Sequence, residues 1–489
     1  IMKDFEIEKK IIIYGAGKRA ARLCRLLQGT HYRVVGLTDG NPMLYGRQLE
    51  SQEIKSVGEV FANEHDCWVV SVANKETRKE IYRTILNHGG QRDKEIDFDE
   101  LLLQIYEEQY IKWKNLRTDE KEPEQATLIL ENYNGFILGG VEKWVASVLN
   151  AGILDGMNIR VLSNVNRTGI ETEWLPYIDF EIPIGTIDCT EQIQHLYDYF
   201  EKYRTSAIVF SFPNDAFRLA CAYKKITDAP LQVIAVLHND VETFYQEYVK
   251  YDAYVDRYLC VSQRIQYILN HTYSILERKT QTVTLPFHCE EKLQRSYSLN
   301  VQDPIRIGYA GRLEVQQKRL DLFPTFILEL EKKVLNYKME IAGDGSVREQ
   351  MQKFVRDNHL ENKITFLGQI DRNDIPAFWK KQDIQISFSD YEGHSLTQME
   401  SMGNGAVPVV TEVSGVVDDI SNGYNGFFVS VGDYVSLADQ VQYLYWHREQ
   451  LPIMGQAAHD TVYEKSDMKS HIAFWRKLLE QNRCNIKNR

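Results

Sequence analysis

The sequence predicts an α/β protein of parallel sheets, built as successive domains, and three observations carry that prediction. Short apolar runs alternate with helix-patterned stretches from end to end, the order expected when a covering helix follows each parallel strand. The 489-residue length exceeds what one hydrophobic core sustains and fits about three domains. Glycine-marked turns lead from strand to helix at Gly15-Ala16-Gly17 and again at Gly139-Gly140.

The first series starts at the apolar run Ile11–Tyr14 and adds strands at Arg33–Thr38 and Trp68–Val72, giving a domain over 1–113. Residues 114–125 (KNLRTDEKEPEQ) are charged, contain a proline and lack apolar periodicity, so they read as a linker. A second series, 126–298, has strands at Thr127–Glu131, Arg160–Leu162, Ile208–Phe212, Val233–Leu237 and Leu259–Val261. A third, 299–489, has strands at Arg306–Ala310, Met339–Ala342, Ile364–Leu367, Ile384–Ser387 and Val407–Val410. The tail after Leu437 is helical, and its last helix, near Ser470–Gln481, is expected to cross back onto the second domain. In such sheets ligands sit beyond the strands' carboxyl ends, so the strand-to-helix turns are where function is sought.

Composition excludes several classes. A formal net charge of −12 opposes nucleic-acid binding, which needs a basic surface, and gives no support for more than peripheral membrane contact. The seven cysteines are scattered, none in a C-x-x-C pair, so neither a disulfide framework nor a zinc site is indicated. The opening residues are too charged for a signal peptide, and no run approaches the ~18 apolar residues of a spanning helix. A cytoplasmic protein is expected.

The densest signal is Ser389-Asp390-Tyr391-Glu392-Gly393-His394-Ser395-Leu396-Thr397-Gln398-Met399-Glu400. Ser395 and Gln398 have capping-box spacing, which predicts a helix beginning at Leu396. Glu392 then lies in the preceding loop, and Glu400 a little over one turn into the helix, facing the same pocket. The unpaired amides of the helix start attract an anion. Carboxylates beside that anion site suit a ligand with both phosphate and hydroxyl groups. Arg312 closes the third series' first strand, and Lys318 follows six residues later; a guanidinium fork and a flexible ammonium together can neutralise a diphosphate. Gly139 and Gly140 allow backbone to approach a phosphate or sugar closely, and His238 ends a central strand of the second series.

In these features residues 126–489 resemble the family 4 retaining glycosyltransferases, which share the glycine pair, the strand-end histidine, an arginine and lysine six apart and two glutamates separated by seven residues. The resemblance implies a GT-B fold, two facing Rossmann-like domains, here preceded by an additional α/β domain. It also implies that Arg312 and Lys318 hold the donor diphosphate and stabilise the leaving group. Glu392, helped by Gly393, His394 and the amides near Ser395 and Leu396, would meet the transferred sugar, and Glu400 the ribose hydroxyls. His238 would lie beside the anomeric centre, Gly139 and Gly140 against the phosphates, and Gly368 and Ile370 near the nucleobase. Transfer would proceed by front-face attack without a metal or other cofactor. Two departures stand out: His394 occupies a position where relatives often have an apolar residue, and Leu285–Cys289 replaces the usual Pro-Asn-Gly turn between domains.

Singly, each feature has a plain structural reading: Glu400 as a helix-start acid, His238 as a strand-end histidine, Arg312 and Lys318 as surface charges, Gly139-Gly140 as a turn. Their joint occurrence at the right strand ends favours function. The tyrosine-rich run Phe244–Tyr251 is read as packing a helix on its own sheet, and Asp97-Phe98-Asp99 as a solvated loop or helix start.

At the N-terminus, Ile11–Ala20 forms a strand, a G-x-G-x-x-A turn and a helix, with Asp39 ending the next strand. Gly15, Gly17, Lys18 and Asp39 are the ligand candidates there. The stretch resembles small Rossmann domains fused to bacterial sugar-modifying enzymes, and three roles stay open: nicotinamide binding, nucleotide-sugar or other phosphate-ligand binding, or a structural remnant. A non-redox role is favoured, since no hydride-transfer machinery is evident after the turn.

The leading expectation is a hexosyltransferase using a UDP-linked donor and a glycan, lipid-linked or protein acceptor, in bacterial surface-polysaccharide or glycoconjugate synthesis. Its rivals are a catalytically silent partner or glycan-binding subunit of another transferase, and a GT-B sugar-nucleotide epimerase. Self-association is left open.

Overall fold

The computed structural model describes residues 7–117, 124–133, 139–163, 170, 172–180, 184–283, 287, 289–334, 336–465 and 468–487. Among them lie three sheets. The first holds β1 (Lys9–Tyr14), β2 (Tyr32–Thr38), β3 (Gln48–Leu49), β4 (Gln52–Lys55) and β5 (Cys67–Val70), in the order β3-β4-β2-β1-β5. It is parallel except for the short β3–β4 hairpin.

The second sheet holds β6 (Leu128–Asn132), β7 (Ile159–Ser163), β8 (Ile178–Asp179), β9 (Ala207–Phe210), β10 (Gln232–Leu237), β11 (Arg257–Cys260) and β12 (Thr280–Thr282). Its order is β12-β11-β10-β9-β6-β7-β8, parallel throughout. The third sheet, also parallel, holds β13 (Ile305–Ala310), β14 (Tyr337–Ala342), β15 (Ile364–Gly368), β16 (Ile384–Ile386), β17 (Val407–Thr411) and β18 (Phe427–Val429). Its order is β15-β14-β13-β16-β17-β18.

Central strands are buried on both faces, as helices on each side require, which is why β6, β9 and β17 read as apolar runs without alternation. β3, β4, β8, β12 and β18 escape the sequence reading because they are only two to four residues long, too short to show a period, and all but β4 lie at sheet edges. Strand order reverses between β6 and β9 in the second sheet and between β13 and β16 in the third. Both reversals open a crevice at the carboxyl ends, the usual ligand position in open α/β sheets.

The N-terminal unit is fused to the second sheet's layer. The helix Phe98–Asn115, running past the expected boundary at Trp113, buries Tyr106, Tyr110 and Trp113 against the helices Thr190–Lys202 and Asp215–Thr227. Tyr110 meets Tyr197 at 5.1 Å and Tyr223 at 5.7 Å, both edge-on. A polar layer surrounds this core: Arg22 pairs with Asp215 at 2.6 Å, and Lys250 with Asp99 at 2.6 Å. Asp97 caps the helix, so the Asp97–Asp99 stretch is a helix start; Asp99, however, is ion-paired and largely buried, not solvated. The middle of the expected linker, 118–123, lies outside the described residues.

The run Phe244–Tyr251 does pack inward: Tyr245, Tyr248 and Tyr251 are buried, and the Tyr248 hydroxyl donates to the Phe210 carbonyl at 3.0 Å. The last helix, Met468–Lys487, lies on the helix Gly140–Leu154, with Trp475 6.0 Å from Trp144 and Arg476 donating to the Asp155 carbonyl at 2.7 Å. The expected hinge at Leu285–Cys289 falls largely outside the described residues. Among those described, no helix is long and apolar enough to cross a membrane.

Candidate active site at the domain cleft

At the β13/β16 reversal two loops meet. One carries Gln317 and Lys318 after β13, the other Ser389 and Glu392 after β16. Lys318 donates to one Glu392 oxygen at 2.5 Å and Ser389 to the same oxygen at 2.9 Å, while Gln317 donates to the other at 3.1 Å. Gln317 also donates to the Tyr391 carbonyl at 3.1 Å, so one side chain ties the loops together. Arg312 belongs to the same network through its bond to Gln317 at 2.7 Å, yet its side chain remains 61% exposed beside Glu314. Its reach toward a ligand is therefore unobstructed.

The helix after Glu392 runs Leu396–Gly403, with the Ser395 hydroxyl accepting from the Gln398 amide at 3.4 Å. The reciprocal half of the capping box is not made, because the Gln398 side chain donates to Asp419 at 3.2 Å instead. Glu400, buried one turn in, pairs with Lys143 of the helix Gly140–Leu154. Gly140 itself faces the Leu396 side chain, which would lie 3.8 Å from a Cβ at position 140. Two helix N-termini, each a partial positive pole, thus converge on one place in the cleft.

His238 stands opposite, at the end of β10. Gly393 presses on its backbone: a Cβ at 393 would sit 1.9 Å from the His238 carbonyl oxygen. The imidazole lies edge-on to Trp144 at 5.0 Å, with Nε2 3.3 Å from the Ser211 hydroxyl. Surrounding protein strips the ring of water and pushes its pKa down to about 3, so it is neutral at physiological pH. It can exchange hydrogen bonds but brings no charge to a reacting sugar.

Sequence reasoning gave no site role to Glu131, Ser211, Asn214, Trp144, Gln317 or Lys143. Glu131 accepts from the Ser211 amide at 3.0 Å and from Asn214 at 2.9 Å across the β6/β9 reversal. Burial pushes its carboxyl up to about 8. The available signal was an acid inside the apolar strand run Leu128–Asn132, where an ordinary buried strand has none.

His394 was expected among the donor-facing residues, but its side chain turns to the domain junction. Its Nδ1 lies 2.8 Å from the Val261 carbonyl and Nε2 2.6 Å from Asp419, which also pairs with Lys465 at 3.1 Å. Burial opposes charging this ring, yet the Asp419 carboxylate and the Val261 carbonyl outweigh it and raise the pKa. Gly368 ends β15 with φ +73, and its carbonyl accepts from the Gly343 amide at 2.7 Å; Ile370 packs on the small cluster around Trp379. Gly139 begins the helix carrying Lys143.

The N-terminal turn is a separate place. Asp39, expected to meet a ribose, instead accepts from the Ala16 amide at 2.8 Å and from the Asn41 amide at 2.9 Å. Ser71 donates to the Tyr14 carbonyl at 3.0 Å between β1 and β5. Asp39 thus braces the turn with one bond to each carboxylate oxygen, and Gly17 and Lys18 are exposed at the helix start. Among the described residues no group of three or more His, Cys, Asp or Glu side chains is placed to hold a metal ion.

Residues 290–461 match the family described as glycosyl transferases group 1, and residues 7–96 match C2185-like, N-terminal. Among curated proteins, the chain is similar to N-acetyl-alpha-D-glucosaminyl L-malate synthase of Bacillus anthracis, 24% identical over 209 residues, covering 40% of this chain and 53% of that protein. It is also similar to an uncharacterised glycosyltransferase of Methanocaldococcus jannaschii, 30% identical over 183 residues, covering 36% and 45%. The chain thus spans about half the length of the curated relatives it matches. Among solved structures, Anabaena HepE in complex with UDP and glucose superposes with TM-score 0.59 at 16% identity, over 73% of this chain and 100% of that one. Fold, strand reversals and matched region agree: the chain carries a glycosyl transferases group 1 domain set in a GT-B fold.

Proposed function

We propose that this chain is a retaining, metal-independent hexosyltransferase. It moves a sugar from a UDP-linked donor to a glycan, lipid-linked or protein acceptor in bacterial surface-polysaccharide or glycoconjugate synthesis. Residues 126–298 form the acceptor domain and 299–489 the donor domain, with 1–113 an appended unit outside the chemistry. The observation that carries the reading is the convergence of Lys318–Glu392, Lys143–Glu400 and the His238–Gly393 contact at one pair of strand reversals. The names of the relatives support sugar transfer, and the UDP and glucose held by the solved neighbour support a UDP-linked hexose.

In this reading the bond between the anomeric carbon and the donor phosphate oxygen breaks, and its electrons leave with the diphosphate. Arg312, Lys318 and the helix-end amides at Leu396 stabilise that growing charge. The acceptor hydroxyl attacks on the same face, and its proton passes to the departing phosphate oxygen. No protein nucleophile is required. His238, neutral, orients the sugar through hydrogen bonding, and Glu392 and Glu400 accept from sugar and ribose hydroxyls.

The test is slow donor hydrolysis followed by mass spectrometry, across UDP-glucose, UDP-galactose, UDP-N-acetylglucosamine and GDP-mannose, without added metal. Cleavage of one donor by wild type, with Glu400→Ala and Arg312→Ala impaired, is the expected result. Neither cleavage nor binding of any donor would overturn the proposal in favour of a silent partner of another transferase. Isomerisation of the donor without acceptor would mark an epimerase.

A further inference from the structure

The two carboxylates of the cleft are both neutralised by lysines, but from different sides. Lys318 reaches Glu392 within the same domain, whereas Lys143 reaches Glu400 from the facing domain, 257 residues away in sequence. Lys143 lies one turn inside the helix Gly140–Leu154, and Glu400 one turn inside Leu396–Gly403. A Cβ at position 140 would lie 3.8 Å from the Leu396 side chain, so the two helix starts adjoin, and the Lys143–Glu400 pair links the same two helices just inside those starts. A cation placed among positive poles and tied to one carboxylate is poised for an anion that binds there. Other polar links join these domains as well: Ser414 donates to Asp240, the Gln263 amide donates to Asp418 at 2.8 Å, and His394 Nδ1 lies 2.8 Å from the Val261 carbonyl.

We propose that Lys143 is a donor-binding residue: the acceptor domain extends it across the cleft to the diphosphate of a nucleoside diphosphate, freeing Glu400 for the ribose hydroxyls. This rests on the donor site described above and deepens it, since the domain without the group 1 match then contributes directly to holding the donor. The side chain is suited to the exchange. Its four-carbon stem lets the ammonium swing while the helix stays in place, and 32% of it is exposed, against 11% for Glu400. The exchange replaces one charge-assisted hydrogen bond with another, so the lysine is never left unpaired.

The test compares UDP with uridine, which shares the ribose and base but lacks the phosphates, by calorimetry on the full chain. Lys143→Met is expected to weaken UDP binding about tenfold or more, the loss of one charge-assisted contact, with uridine affected far less. Lys143→Arg is expected to restore most of the affinity. Equal losses for UDP and uridine would reduce Lys143 to a clamp on Glu400 and overturn the proposal, as would an unchanged UDP affinity. A second measurement needs only wild type: UDP, but not uridine, is expected to shield Lys143 from amine acetylation read by mass spectrometry. Unaltered labelling in the presence of bound UDP would also overturn it. Failure of wild type to bind UDP would sink the donor-site reading itself, and this inference with it.

Discussion

Gly393 lies so close to His238 that a single methyl group would not fit between them: the added carbon would stand 1.9 Å from the His238 carbonyl and 2.8 Å from a Val261 methyl. This glycine is dictated by the approach of two domains, and the contact sets where the Glu392 loop stands relative to the histidine.

Gly393→Ala should therefore act on domain placement. Overpacking of this kind costs about 1–3 kcal/mol, and because it falls at the cleft the loss should appear mainly as weaker donor binding and slower turnover. Calorimetry with UDP beside a thermal melt checks this. Donor affinity equal to wild type would show that the domains sit further apart in solution.

Arg312 and Glu392 should separate stability from binding. Arg312 is exposed, so Arg312→Ala should change folding stability by no more than about 0.5 kcal/mol. Donor affinity should nonetheless fall by about 1.5–3 kcal/mol, the worth of a charge-assisted contact. Glu392→Gln should lower both, because Lys318, Gln317 and Ser389 all donate to that carboxylate. Urea melts and calorimetry on the same preparations read the two quantities.

The junction formed by His394, Asp419, Val261 and Lys465 should make stability depend on pH. His394 has a folded pKa above its ordinary 6.5, so its contribution is fully present below 6.5 and is lost as pH rises through the higher folded value. Asp419 is held below its ordinary 3.8, against the opposing effect of burial, by His394 and Lys465; its contribution is present above 3.8 and is lost as pH falls through the lower folded value. The melting-temperature gap between wild type and His394→Phe should accordingly narrow as pH rises above 6.5. A gap that stays constant over that range would show that the ring is held neutral.

Arg22 tests how firmly the N-terminal unit is attached. It donates to the Ile187 carbonyl at 2.7 Å and to the Tyr106 hydroxyl at 3.2 Å, and pairs with Asp215 at 2.6 Å, with 12% of its side chain exposed. Arg22→Ala should destabilise the chain by about 2–3 kcal/mol, less than a fully orphaned buried charge because Arg218 still faces Asp215 at 2.9 Å. Donor hydrolysis per folded molecule should be unchanged, as the interface lies outside the cleft. A loss of hydrolysis in fully folded protein would mean that the N-terminal unit helps position the acceptor domain.

What the sequence determined by itself was whatever depends on a local period or a short spacing. Buried strands such as β6 and β17 announce themselves as apolar runs, the helix after Glu392 begins at Leu396 because Ser395 caps it, and Glu392 and Glu400 fall on one loop and helix eight residues apart. Tertiary structure decided which distant groups share a partner. That Lys143 meets Glu400, that Gly393 presses on His238, that His394 turns to Asp419 and that Asp39 closes on Ala16 all follow from how sheets and their crossing helices are set against one another. A carboxylate or an imidazole can satisfy its hydrogen bonds in many ways. Which of them it uses is set by the neighbours that packing brings within about 3 Å, and linear spacing does not encode that neighbourhood.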